Sequence, residues 1–187
     1  MTPASPINSA GKTPVAAPQG AADPGMPNMA SICGAFPIRI TRDGTWFYHG
    51  SPIGRKPLVR LFARVLHRRA DGGFWLTTPY ESGSIEVDDA PFVAVLCDVA
   101  GAGRGQELAF TTNLDETVRA DADHPIVVRG TLEAPQPYVT IRPGLEARIC
   151  RAVFYQLVDL AAEEQHAGQA RLGVWSAGIF FPLEPIG

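Results

Sequence analysis

The chain lacks most of the features that announce a function. Its three cysteines, Cys33, Cys97 and Cys150, stand far apart with no CxxC among them. A disulfide scaffold and a zinc knuckle are therefore unsupported, and a reducing cytoplasm is the natural setting. The four histidines, His49, His67, His124 and His166, include no pair at metal-ligand spacing, so neither a metal nor a cofactor is expected. There is no GxSxG, no P-loop and no GxGxxG, which leaves serine-hydrolase, nucleoside-triphosphatase and Rossmann readings without support. No apolar run approaches the roughly 18 residues that cross a bilayer. Nor is there a basic surplus: 16 lysines and arginines against 19 aspartates and glutamates give −3, unlike a chain built to hold a nucleic-acid polymer. No catalytic set is visible.

What is present is one ordinary domain's worth of chain, 187 residues, rich in glycine (19) and proline (17). Residues 1–31 hold six of the prolines, no aromatic residue and only Lys12 and Asp23 as charges. Such a segment buries too little surface to offset its ordering entropy and reads as a disordered arm, with no secretory h-region. Two units follow, 32–88 and 89–187. In the first, Ile38–His49 reads as a hairpin turning at Asp43-Gly44. Pro57 then opens a helix whose stripe is Leu58, Leu61, Phe62, Val65 and Leu66, and Phe74–Pro79 is a strand. In the second, short strands are expected at 92–97, 108–112, 117–119, 126–128 and 138–141. A long helix is expected over 144–164, buried through Leu145, Ile149, Val153 and Leu157, and a single closing strand over 173–183. The fold class is α+β, built from two related strand–helix–strand units with Trp75 and Trp175 at equivalent points.

Charge is distributed unevenly. Residues 39–69 carry eight basic residues against Asp43 alone, and residues 80–123 carry ten acids against Arg104 and Arg119. Lys56, Arg60, Arg64 and Arg68 follow at i, i+4 and line one helix face, where like charges repel. Three readings stand: a solvated face, pairing with the acidic stretch, or an anion site, to which arginine's planar fork is suited. A second basic cluster, Arg142, Arg148 and Arg151, surrounds the start of the second helix.

The strings RDGTWFYHGSPIGRKPLVRLF and DGGFWLTTPYESGSIEVDDAPF, with the later TTNLDETV, PGLEAR…FYQLV and GVWSAGIFFPL, resemble the bacterial domain-of-unknown-function family 1285 over about Ile32 to Leu183. The resemblance implies a duplicated protein. Its C-terminal part would be strand-rich, partly barrel-like and superficially similar to a pleckstrin-homology domain with one long helix. It also implies a nucleotide-like ligand between the repeats and a role in signal transduction. Carried onto this chain, the ligand-binding residues are His49, Arg55, Arg60, Thr78 and Glu81, with Asn113 and Arg148 added. Arg55 and Arg60 would hold phosphate, Thr78 and Asn113 would read a polar edge, and Glu81 would orient an arginine. The closing strand departs from a pleckstrin-like pattern, so phosphoinositide binding does not follow.

The expectation is thus a non-catalytic, cytoplasmic binding protein that senses a small anionic, nucleotide-based ligand between its two units, with a signalling protein as a further partner. The alternatives are an adaptor that docks an acidic protein on the basic helix face, and an enzyme of unrecognised chemistry.

Overall fold

The computed structural model describes residues 32–166 and 168–185, besides Met1. The arm expected over 1–31 lies, but for Met1, outside the described residues. The first half runs β1 (Ile32–Ile40), β2 (Trp46–Tyr48), β3 (Ser51–Pro52), α1 (Lys56–Arg64), β4 (Leu66–Arg68), β5 (Phe74–Thr77) and β6 (Glu81–Val87). Alternation within β1 and the Asp43-Gly44 turn, with Gly44 at φ +82°, build the expected hairpin, pairing Ile38 with Tyr48 and Ile40 with Trp46. The sheet order is β3-β2-β1-β6-β5-β4. Its middle pair, β1 and β6, is parallel and every other pair is antiparallel. Gly83 of β6 permits a close approach there, since a Cβ would lie 2.7 Å from the Phe36 ring. Helix α1 joins the two edge strands, β3 and β4, with Pro57 in its first turn, where a missing N–H costs nothing.

The second half runs β7 (Phe92–Ala100), β8 (Glu107–Thr112), β9 (Thr117–Arg119), β10 (Ile126–Gly130), β11 (Pro135–Arg142), β12 (Leu145–Ile149), α2 (Arg151–Asp159), β13 (Ala162–His166), β14 (Gln169–Ser176) and β15 (Ile179–Pro182). A short 3-10 turn, Gly103–Gly105, lies in the loop between β7 and β8. Its six-stranded sheet is wired like the first, in the order β10-β11-β12-β7-β8-β9, again with first and last strands parallel in the middle. The fold is α+β and strand-rich. What the two halves share is this wiring, two three-stranded meanders closed by a parallel central pair. The helices fall at different places, α1 between the meanders and α2 after them, so a common strand–helix–strand unit is not what relates them.

Two expectations about the second half are corrected. The helix expected over 144–164 is a strand, a nine-residue helix and another strand. Leu145, Ile149 and Val153 are four apart, and a spacing of four satisfies a strand's period of two as well as a helix's 3.6. The buried Ala147 between the partly buried Glu146 and Arg148 decides for alternation. Gly144, at φ +74°, makes the β11–β12 hairpin turn rather than a helix start. The single closing strand is instead the hairpin β14–β15, turned at Ala177-Gly178, both at positive φ.

One hydrophobic cluster serves both halves. Ile40, Trp46, Val59, Ala63 and Leu66 come from the first, and Phe92, Phe110, Ile141, Leu157, Val174 and Phe181 from the second. The helix stripe differs from expectation: α1 buries Val59 and Ala63, while Leu61 is 56% exposed and Leu58 39%. Trp46 is buried and stacked near Phe62 at 6.4 Å between centroids. Trp75 and Trp175 are only half-buried, lying beneath the guanidinium groups of Arg69 and Arg104 at 3.5 and 4.9 Å. The closing hairpin is tied down by two buried polar side chains. Ser176 Oγ accepts from the Leu108 N–H at 3.0 Å and donates to the Ala120 carbonyl at 2.7 Å, and Gln106 Nε2 donates to the Trp175 carbonyl at 3.0 Å. No described helix is long and apolar enough to cross a membrane.

Candidate functional site

The basic ridge of α1 meets the acidic stretch at the turn between β8 and β9. Thr112, fully buried, shapes that turn: its Oγ1 accepts from the N–H groups of Leu114 and Glu116 at 3.3 and 3.1 Å. Asp115 sits at the tip with φ +62°, a conformation that aspartate tolerates better than most residues. Its carboxylate is held by Lys56 Nζ at 2.8 Å and also pairs with Arg60. One acid thus offsets the repulsion between two like charges one helical turn apart, which is worth a few tenths of a kcal/mol in an isolated helix. Beside it, Arg142 at the end of β11 donates through Nη2 to Glu116 Oε2 at 3.0 Å, its guanidinium lying over the Phe92 ring.

Between these groups lies a recess of about 430 Å³, lined by Arg60, Ala63, Arg64, Leu114, Asp115, Glu116 and Arg142. It is formed by α1 of the first half and by the β8–β9 turn and β11 of the second. Arg60 and Arg142 each keep a buried Nε–H with no hydrogen-bond partner among the described residues. Buried polar groups are nearly always paired, so two orphaned donors on residues of one recess are unusual. The basic ladder stops at Arg64: Arg68, expected to continue it, lies in β4, with Nε donating to the Gly72 carbonyl at 3.1 Å.

Of the seven residues expected to bind the ligand, Arg60 alone lines this recess. Arg55 is the residue before α1; its carbonyl accepts from Leu58 and Val59 N–H at 2.9 and 3.2 Å, and the residue is exposed. Thr78 closes the β5–β6 turn, its Oγ1 accepting from Tyr80 and Glu81 N–H at 3.3 and 3.0 Å, and Glu81 is exposed. His49 lies at φ +47° in the turn between β2 and β3, edge-on to Tyr48, where it lines a separate recess of about 390 Å³ with Phe36, Phe47 and Glu86. Asn113 spans the halves rather than facing a cavity, with Oδ1 on the Val93 N–H and Nδ2 on the Gly44 carbonyl, each at 3.1 Å. Arg148 lines a third recess, beside α2. The seven residues therefore do not converge. Chain neighbours on a tight turn point to different sides of a sheet, and no spacing rule brings Arg148 to α1.

Arg64, Asp115, Glu116 and Arg142 are the charged recess residues not carried over. Arg64 was legible as a rung of the α1 ladder and Arg142 as part of the second basic cluster. Their meeting was signalled only by the opposition of the basic and acidic stretches.

Burial pushes the Cys97 thiol up to about 12, helped by Asp98, and pushes the Tyr138 hydroxyl to about 12, helped by its hydrogen bond to Asp89. Neither group ionises near neutrality. Among the described residues, no group of three or more histidines, cysteines, aspartates or glutamates is placed to hold a metal ion.

Two family models match end to end: the N-terminal domain of the domain of unknown function DUF1285 over residues 28–90, and the C-terminal domain of the protein of unknown function DUF1285 over 91–183. The crystal structure of a DUF1285 family protein from Silicibacter pomeroyi DSS-3 is similar at 46% identity, covering 83% of this chain and 84% of that one, with a TM-score of 0.75. That of a DUF1285 family protein from Shewanella baltica OS155 is similar at 25% identity, covering 66% and 91%, with a TM-score of 0.53. Among curated proteins, none matches. With both domain models spanning the described strands and helices, the chain belongs to the DUF1285 family.

Proposed function

We infer that the protein is a non-catalytic sensor of a small anionic ligand, nucleotide-like in its phosphate, held in the recess between α1 and the β8–β9 turn. The observation that carries this reading is that Arg60 and Arg142, one from each half, line the same recess, each with a buried Nε–H that has no hydrogen-bond partner among the described residues. A phosphate oxygen accepts from a guanidinium in short, charge-assisted bonds. Arg64, exposed and without an ion pair among the described residues, supplies a further donor. Ala63 and Leu114 offer an apolar wall. Arg55, His49, Thr78, Glu81, Asn113 and Arg148 take no part in this recess.

The site lies between the halves, so occupancy is able to change how firmly they hold together, which is what a signalling role requires. The matched sheet wiring supports descent of the two halves from one duplicated unit. The six strands followed by α2 are the part comparable to a pleckstrin-homology domain. The buried, free thiol of Cys97 suits a reducing cytoplasm.

The test is a thermal-shift screen of the full chain against mononucleotides and cyclic dinucleotides, repeated with Arg64→Ala. A stabilising nucleotide at a hundredfold excess over its Kd contributes about 2.7 kcal/mol. Loss of that response in Arg64→Ala supports the site. A wild-type protein that no nucleotide shifts overturns it.

A second reading has its own observation. Leu58 and Leu61 are exposed on α1 beside the basic ridge, which suits an adaptor that buries them against an acidic, partly apolar partner. That reading predicts salt-sensitive protein capture lost in Leu61→Asp, with no small-molecule response.

A further inference from the structure

The recess beside the start of α2 is a second place where the two halves meet, and the reading above leaves it unused. It has a volume of about 500 Å³. Arg42 reaches it from the β1–β2 turn, Arg148 from β12 and Arg151 from the first position of α2, with Phe154 and Tyr155 following on that helix. Asp89 lies behind the first two. Its Oδ2 is 3.3 Å from Arg42 Nε and 3.6 Å from Arg148 Nε, and its Oδ1 accepts from the Tyr138 hydroxyl at 2.7 Å. The Asp89 side chain is only 17% exposed. A largely buried carboxylate, itself held by a buried tyrosine, thus lies within ion-pair distance of two guanidinium groups; its Oδ2 makes no hydrogen bond with either, and neither guanidinium pairs with another carboxylate among the described residues.

One carboxylate does not neutralise two guanidinium groups, and Arg151 adds a third cation, exposed and unpaired among the described residues. Glu133 is the single acid lining the recess, and it is an exposed rim residue. Helix α2 adds to the same sign: it has no acidic residue in its first turn and no side-chain cap on its N-terminal N–H groups, so the positive end of its dipole is uncompensated there. Unlike the recess on α1, this one has aromatic walls: Tyr155 is 57% exposed and Phe154 partly buried. Phenyl rings of this kind stack against flat ligands and leave a large aromatic area to be covered.

The geometry points to a second binding site, for a small molecule that joins one anionic group to a flat ring, an aryl phosphate or aryl carboxylate. The anion is taken by Arg42, Arg148 and Arg151 in charge-assisted bonds, and the ring lies against Tyr155 and Phe154. The site is independent of the α1 recess, with which it shares no residue.

Titration calorimetry of the full chain with phenyl phosphate, benzoate and inorganic phosphate tests it. At least one aryl anion is expected to bind about tenfold more tightly than inorganic phosphate, and the tighter of the two names the head group. Arg151→Ala is expected to weaken the aryl anion about tenfold, the scale of one charged hydrogen bond. Tyr155→Ala is expected to remove the advantage over inorganic phosphate. Arg151 and Tyr155 are both exposed, so neither substitution opens the core. The proposal is overturned if neither aryl anion binds, or if both variants bind as wild type does. It is equally overturned if Arg64→Ala abolishes the binding while Arg151→Ala spares it, which would place the ligand in the other recess.

Discussion

Asn113 and Gly44 are joined across the two halves: the Asn113 Nδ2 donates to the Gly44 carbonyl at 3.1 Å, while its Oδ1 accepts from the Val93 N–H, also at 3.1 Å. The Asn113 N–H in turn donates to the Val93 carbonyl at 2.8 Å. A residue that looked like a ligand reader is therefore a strap. Asn113→Ala leaves a part-buried donor and acceptor unpaired and is expected to cost about 1–3 kcal/mol. Gly44→Ala is expected to be at least as damaging. Its φ is +82° and an added Cβ would fall 2.5 Å from Asn113 Nδ2. Urea midpoints measured on both variants check this; an unchanged midpoint in Asn113→Ala would show that water replaces the strap freely.

Asp115 occupies one of the cations that the proposed anion needs, Arg60, and pairs with Lys56 as well. All three side chains are about half exposed, so their pairing contributes little to stability, under about 1 kcal/mol. Asp115→Asn is accordingly expected to leave the melting temperature almost unchanged in buffer, yet to tighten nucleotide binding by about tenfold, because a competing charge is gone. Equal affinity in wild type and variant would mean that the ligand does not contact this pair.

Ser176 satisfies a backbone donor and a backbone acceptor at once, Leu108 N–H and Ala120 C=O, with no solvent exposure. Removing its hydroxyl strands both in the core. Ser176→Ala is expected to cost about 1–3 kcal/mol, with hydrogen exchange accelerated first at Leu108. Slower or unaltered exchange there would argue that β8 holds without the closing hairpin.

Cys97 is buried and its thiol is raised to about 12. In a Cys33→Ser, Cys150→Ser background, the remaining thiol is expected to resist a disulfide reagent at pH 8 and to react fully once urea unfolds the chain. Rapid labelling of the folded protein would contradict the burial.

Asp121 is held below the usual aspartate range, first by the hydrogen bond from the His124 ring, and Asp43 likewise by Thr41. A carboxyl whose folded value lies below its unfolded one stabilises the fold above the unfolded value, near pH 4, and loses that contribution as pH falls through the lower, folded value. The acid limb of the stability curve is therefore expected to flatten in the double variant Asp43→Asn, Asp121→Asn. Both groups are on the surface, so the change is small and shows as a slope rather than as unfolding.

The strands of the first half were legible because β1 and β2 alternate and Asp43-Gly44 supplies the turn. The helix α1 was legible because Pro57 opens it and its cations keep helical spacing. Its buried face was misread: Leu58 and Leu61 look like core by hydropathy, but Val59 and Ala63, four apart, are the residues on the face turned to the core. The second helix was overextended because four-residue spacing fits two periods, and only the fate of Ala147 tells them apart.

By itself the sequence determined the local alternation of strands, the position of α1, the opposition of a basic and an acidic stretch, and membership in a family legible from two strings. Those depend on near neighbours, and near neighbours are set by backbone periodicity and turn chemistry. The tertiary structure alone decided that Arg60 and Arg142 border one recess, that Arg42 and Arg148 share Asp89, and that Asn113 is a strap. Each of these joins residues whose separation is set by how two six-stranded sheets close onto a common core, and a chain's periodicity carries no information about that closure.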